Sequence, residues 1–275
     1  MLLLALDTST RQSSIALCSE DEFYGEASWY SSNNHSVEIL SAMQRLLAES
    51  SKTLQDLDAV AVATGPGSFN GVRVALAAAK ALAFALAKPV LGVSTLDIIA
   101  KQQQLWRGPI CSVLEAGRGE LYAACYLSGE SSQDGSLLNH LNQVGPYFIG
   151  PPEQLVAHLQ THVAGHLLSQ EQPSHPVLFC GEIGAASRQA LYEQLSERCV
   201  FVGSVQSVRR ATNLALLALQ RFHAGQRDDP RTLEPLYLRR PSITTSTRKQ
   251  PLLGGINQRP TGQHTTEREE GALRH

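Results

Sequence analysis

The residues best placed for chemistry lie in Gly65-Pro66-Gly67-Ser68-Phe69-Asn70-Gly71-Val72-Arg73. An apolar run at 59–63 precedes them, and an alanine-rich helix is expected over 72–87. Strand, glycine turn and helix together aim free backbone N–H groups at an anion. The three glycines allow positive φ and close approach by another group, and Pro66 stiffens the turn. No Lys-Ser/Thr pair closes the pattern, so it is not a Walker loop, and Arg73 stands one turn inside the helix. A tight strand-to-helix turn without a ligand fits the same residues.

A second cluster, Asp7-Thr8-Ser9-Thr10, puts one carboxylate and three hydroxyls at the end of the first apolar run. Such a turn holds a phosphate or a metal-bound water, or it satisfies its own backbone, which is the commoner outcome. The candidate anion site is therefore Asp7, Thr8, Gly65, Gly67, Ser68, Gly71 and Arg73. It contains no obvious base and no metal cage. His158, His162 and His166 recur every fourth residue on an expected helix over 153–168. That spacing could hold a metal, but an apolar stripe runs beside them, no glutamate stands between them, and Gly165 weakens the last turn. A solvated histidine face is the expectation. His35 is read as structural or solvated. The chain carries no G-x-S-x-G elbow, H-E-x-x-H pair or dinucleotide fingerprint.

The elements that must position these groups are legible as α/β alternation. Strands are expected over 2–6, 14–18, 23–29, 59–63 and 89–93, then over 110–114, 120–127 and 177–180. Helices are expected over 36–49, with Ser36 as N-cap, over 95–105, and later over 185–198 and 207–224. Arg107-Gly108-Pro109 marks a boundary, giving lobes at 1–106 and 107–240, with the helix at 207–224 able to pack back on the first. Residues 241–275 turn to Ser, Thr, Gly, Pro, Gln and charge, and read as a disordered tail. Arg239, Arg240, Arg248 and Lys249 gather at its start as a solvated basic patch.

The 275 residues, 43% hydrophobic and 17% charged, are globular over most of their length. A net charge of -2 argues against strong, stand-alone nucleic-acid binding. Five scattered cysteines without a C-x-x-C pair suit reduced thiols in a cytoplasmic setting. The apolar start at 1–6 is too short for a signal peptide, and no run approaches the roughly 18 apolar residues of a membrane span.

Three hairpin strands with an acidic first turn, then helix, strand, glycine loop and helix, resemble the actin/hexokinase-like ATPase (ribonuclease H-like) fold with two related lobes. The wording is closer still. Leu4-Ala5-Leu6-Asp7-Thr8-Ser9-Thr10, His35-Ser36, Gly65-Pro66-Gly67-Ser68-Phe69, Gly71-Val72-Arg73, Ala79-Lys80-Ala81-Leu82-Ala83 and Gly92-Val93-Ser94-Thr95-Leu96 resemble the TsaB family, once called YeaZ. Glu115-Ala116-Gly117-Arg118-Gly119-Glu120-Leu121-Tyr122 is similar to its second-domain hairpin, and Pro235-Leu236-Tyr237-Leu238-Arg239 to its closing motif. The sequence departs from the family pattern at Asn70, Glu115, Gly117 and Glu182.

The resemblance implies a non-catalytic subunit of tRNA threonylcarbamoyladenosine synthesis. Its partner would be TsaD, the catalytic paralogue that modifies the adenosine next to the tRNA anticodon. TsaE, an ATPase, is a further implied partner, and a homodimer is expected when TsaD is absent. ATP or ADP would sit at the TsaD interface, with no cofactor held by this chain alone and tRNA reached only through the complex. TsaD carries an H-x-x-x-H metal pair where this chain has Ser94-Thr95-Leu96-Asp97-Ile98-Ile99, so no metal is expected here. The expected partner surface is the apolar side of two helices: Ile39, Leu40, Met43, Leu47, Ala75, Ala79, Leu82 and Ala83. Two rival functions remain. An independent ATPase or kinase needs further phosphate and adenosine turns, and only Gly181-Glu182-Ile183-Gly184 comes near. A glycoprotease-like metallopeptidase needs a metal pair or nucleophile.

Overall fold

The computed structural model describes residues 1–32, 34–128, 141–163 and 175–239. The expected tail at 241–275, with Arg240, Arg248 and Lys249, lies outside these residues, as does His166. Within them the chain builds two five-stranded mixed sheets. The first holds β1 (Leu3–Asp7), β2 (Gln12–Cys18), β3 (Phe23–Tyr30), β4 (Ala59–Ala63) and β5 (Val90–Val93) in the order β3-β2-β1-β4-β5. β1 to β3 pair antiparallel, while β1, β4 and β5 run parallel. The central strands are apolar on both faces, as a sheet covered on both sides requires.

The second sheet repeats this plan. It holds β6 (Ile110–Gly117), β7 (Glu120–Ser128), β8 (Leu141–Gly150), β9 (Val177–Glu182) and β10 (Cys199–Phe201), in the order β8-β7-β6-β9-β10 from one edge. β6 to β8 are antiparallel and β6, β9 and β10 parallel. Two sheets of one topology are the two related lobes of the actin-like fold. Strand β8 escaped the sequence reading because its residues, Leu-Asn-Gln-Val-Gly-Pro-Tyr-Phe-Ile-Gly, do not alternate cleanly and contain a proline. At the sheet edge that proline costs no ladder bond.

Among the described residues six α-helices cover the sheets: α1 (His35–Glu49), α2 (Phe69–Leu86), α3 (Thr95–Lys101), α4 (Pro152–His162), α5 (Ala185–Leu195) and α6 (Ala211–His223). Helix α1 begins one residue earlier than expected, after Asn34 rather than at a Ser36 cap. Helix α2 starts at Phe69, with Ser68 as N-cap accepting from the Gly71 N–H. Contrary to the expectation of no such run, α2 is long and apolar enough by length and composition to cross a membrane. Its alanines account for this. It nevertheless packs Ala75, Leu76, Ala79 and Ala83 against the first sheet.

The third helix of each lobe is exchanged. α3 was expected to extend to 105 and to belong with the first lobe. It stops at Lys101 and buries Leu96, Ile99 and Ala100 against Ile110, Leu114, Ala124 and Tyr126 of the second sheet. Reciprocally, Ala211, Leu214, Ala215, Ala218 and Leu219 of α6 pack on Leu3, Ala5, Ala16 and Ala61 of the first.

The expected partner surface needs correcting. Ile39, Met43, Leu47, Ala75, Ala79 and Ala83 are buried in the chain's own core, and Leu82 is half-buried against it. The regular apolar stripe of a helix is the face its own sheet claims first. Of the expected residues, Leu40 alone is exposed. His158 and His162 also differ from expectation. They are half-buried rather than solvated, with rings 4.4 Å apart, His158 against Phe148 and His162 against Gly145.

Two substitutions on α2 separate core from surface. Ala79→Arg drives a charge into the first core and is expected to prevent folding, whereas Ala81→Arg, on the exposed side, should shift stability by no more than about 0.5 kcal/mol. Leu214→Ala should cost about 2–5 kcal/mol through the α6 contact. Urea unfolding followed by circular dichroism measures all three.

Candidate functional site

The two predicted clusters do meet, but they fill each other. Asp7 ends β1, fully buried, and its Oδ1 accepts hydrogen bonds from the Ser9 N–H at 2.8 Å and the Ser9 hydroxyl at 2.6 Å. Its Oδ2 accepts from Nε of Arg209 at 2.6 Å. Arg209, only 1% exposed, precedes α6 and was not singled out from sequence. Its guanidinium also donates to Glu182 Oε1 at 2.8 Å, Thr10 Oγ1 at 3.0 Å and the Gln12 carbonyl at 2.8 Å. The Thr10 hydroxyl in turn donates to Glu182 at 2.6 Å.

Burial by itself would lower the Arg209 pKa, yet the Asp7 and Glu182 carboxylates outweigh it and hold the group above its ordinary value. A permanently charged, desolvated guanidinium needs these partners.

The glycine turn is closed by the chain itself. A Cβ at Gly71 would lie 2.0 Å from the Thr8 carbonyl oxygen, and one at Gly67 would lie 2.1 Å from that of Ser9. Ser68 N–H donates to the Ser9 carbonyl at 2.6 Å, and the Thr8 hydroxyl donates to the Gly71 carbonyl at 2.6 Å. The close approach that the glycines permit is thus the approach of residues 8–9. Gly65 lies behind, buried, with its carbonyl accepting from Thr95 N–H at 2.8 Å. Arg73 points elsewhere: it stacks on Phe69 at 3.8 Å and donates to the Tyr237 hydroxyl at 2.9 Å.

Of the seven predicted residues, Gly67 and Ser68 face open space. They line a cleft of about 640 Å³ together with Arg11, Tyr30, Glu115, Glu182 and Arg188. At its far wall the N-terminus of α5 would suit an anion, but Glu115 Oε1 already accepts from Gly184 N–H at 2.8 Å. An entering phosphate meets a carboxylate at that helix end. Among the described residues no group of three or more His, Cys, Asp or Glu could hold a metal, and Ser94 of the corresponding helix caps α3 through Leu96 N–H. The basic patch expected at Arg239 is in part an ion pair with Glu120.

Fold and site together define a two-lobed, actin-like protein in which Asp7 is held by Arg209 and the glycine turn is closed by the Thr8 and Ser9 carbonyls. The family model described as TsaD, tRNA N6-adenosine threonylcarbamoyltransferase, matches residues 24–246. TsaB of Bacillus subtilis (strain 168), a tRNA threonylcarbamoyladenosine biosynthesis protein, is 31% identical over 239 residues, covering 87% of this chain and 94% of its own. TsaB of Haemophilus influenzae is 27% identical over 241 residues, with the same coverage. A solved Pseudomonas aeruginosa structure, described as similar to peptidase YeaZ, superposes with a TM-score of 0.68 at 28% identity, covering 86% of this chain and 99% of that one. The chain belongs to the TsaB (YeaZ) family, which serves tRNA threonylcarbamoyladenosine biosynthesis.

Removing the guanidinium tests its role. Arg209→Met strands the Asp7 carboxylate and should lower the unfolding free energy by about 3–5 kcal/mol. Gly71→Ala, forced against the Thr8 carbonyl, should cost about 1–3 kcal/mol. Both are read from urea midpoints at constant slope. Unchanged midpoints would show that the closed turn carries no weight.

Proposed function

We propose that this chain is a non-catalytic subunit that pairs with TsaD and supports threonylcarbamoyl transfer to the adenosine next to the tRNA anticodon. The observation that carries this reading is the Asp7–Arg209–Glu182 cluster. A carboxylate held by a buried guanidinium is unavailable to a metal or to a phosphate-bound water, so turnover by this chain alone has no machinery. The same argument weighs against the independent kinase and the metallopeptidase.

The pairing surface in this reading is the outer side of α1 and α2. These helices lie side by side on one face of the first sheet. Outward they carry Val37 (67% exposed) and Leu40 (50%) on α1, and Ala77, Ala81 and Phe84 (55%) on α2. Small alanines let a partner helix approach closely, and the larger side chains supply apolar area. The same surface serves a homodimer when TsaD is absent. ATP or ADP belongs at the boundary with TsaD, TsaE joins the assembled pair, and tRNA is reached through the complex.

Reconstitution with TsaD, tRNA, threonine, bicarbonate, ATP and the remaining pathway proteins tests the role. Modification should require this chain, and the chain alone should neither modify tRNA nor turn over ATP. Undiminished modification without it overturns the reading. Leu40→Arg with Ala81→Arg should weaken TsaD binding at least about tenfold, or about 1.4 kcal/mol, with the fold intact by circular dichroism. Wild-type affinity would move the interface elsewhere.

A further inference from the structure

A second polar site lies away from the cleft, where α3 meets β7, β8 and α6. Asp97, Lys101, Tyr126, Leu141, Gln143 and Gln220 line a cavity of about 140 Å³ there. That is well above the roughly 10–15 Å³ that one water needs and below the roughly 300 Å³ where drug-sized pockets begin. The space suits a ligand of a few heavy atoms.

Lys101 is 4% exposed, yet among the described residues its ammonium has no hydrogen-bond acceptor and no carboxylate within ion-pair distance. The Nζ is not among the side-chain atoms sealed from water without a partner, so the ammonium keeps contact with water while its aliphatic stem is buried. Asp97 stands one helical turn before it, and α-helical residues four apart share a face. The two charges nonetheless do not pair. The Asp97 carboxylate is held instead by the Tyr126 hydroxyl at 2.6 Å and the Tyr147 hydroxyl at 3.4 Å, both to Oδ1. Its Oδ2 receives no hydrogen bond among the described residues. Burial raises the Asp97 pKa, against the two tyrosine hydrogen bonds and the nearby Arg221 charge, and lowers that of Lys101. Both charged forms are therefore strained by desolvation, and a ligand of matching charges relieves both. Gln143 and Gln220, exposed at the rim, add amide groups.

We infer that this cavity binds a small zwitterionic α-amino acid, its carboxylate on Lys101 and its ammonium on Asp97. One fixed anion and one fixed cation, close but unpaired, complement a molecule whose own two charges are separated by a single carbon. The cavity volume limits the side chain to the smallest types, from glycine to serine or threonine. Larger amino acids such as phenylalanine have no room. The inference stands apart from pairing with TsaD, because none of its residues lies on the outer side of α1 or α2.

Isothermal titration of the full chain with glycine, L-serine and L-threonine tests it, with acetate, ethanolamine and L-phenylalanine as controls. At least one of the three amino acids should saturate the protein below about 10 mM, with each control at least about tenfold weaker. Lys101→Met should abolish that binding while leaving the unliganded protein at least as stable, since among the described residues the ammonium gives up no hydrogen bond or ion pair. Asp97→Asn should weaken amino-acid binding at least about tenfold. Absence of saturation by all three, undiminished binding by Lys101→Met, or acetate binding as tightly as the amino acids would each overturn the inference. A chain that supports tRNA modification but fails this titration loses this inference alone.

Discussion

The Arg209 guanidinium ties together parts of the chain that are remote in sequence. Its partners come from the end of β1, the turn before β2 and the end of β9, and it stands just before α6. Taking a guanidinium out of water is affordable only when most of its N–H donors find acceptors, and two of those acceptors here are carboxylates. The arrangement therefore fixes where the two sheets face each other, and it holds the residue 7–10 turn down onto the glycine loop. Once that turn is down, the Thr8 and Ser9 carbonyls occupy the space that side chains at Gly67 and Gly71 would need. One buried charge thus accounts for both the closed glycine turn and the unavailable carboxylate.

The exchanged helices bear on the same junction. Because α3 covers the second sheet and α6 the first, neither sheet keeps a complete core without a segment from the other half. The two lobes are copies in topology, yet their outer helix layers differ in chemistry. In the first lobe α1 and α2 expose Val37, Leu40, Ala77, Ala81 and Phe84. At the equivalent place in the second lobe α4 and α5 expose Glu153, Gln154, Gln160, Gln189, Glu193 and Gln194, with Tyr192 the large apolar exception. The proposed pairing surface rests on the larger exposed apolar side chains of the first lobe's helices, which stand beside exposed Gln44, Arg45 and Glu49.

The fold was largely legible in the sequence because short apolar runs, capping residues and the glycine turn are local signals. The occupant of the glycine turn was not. What fills it comes from residue 8 and residue 9, some sixty positions away, and no local pattern announces a carbonyl at 2.0 Å. Arg209 was missed for the same reason: an arginine before a helix reads as surface unless its two carboxylates are known to converge on it. The helix stripes misled in a different way. Ile39, Met43, Ala75 and Ala79 have the periodicity of any buried face, and periodicity does not say whether the chain's own sheet or a partner does the burying. The surface that remains is the less regular one.

Asp7 shows how a carboxylate at a strand end can be engaged by its own chain. A metal needs a carboxylate with free lone pairs and room for water, and a phosphate needs unpaired N–H groups and no nearby anion. Here Asp7 has both oxygens engaged, the glycine turn is closed by carbonyl oxygens, and Glu115 stands at the N-terminus of α5. The Thr8 and Ser9 carbonyls and Glu115 add acceptor character to the cleft, while the Arg209 charge is taken up by Asp7 and Glu182. Removing Arg209 alone would leave the Asp7 carboxylate buried without its counter-charge. The stability of the fold and the engagement of Asp7 therefore rest on the same contacts.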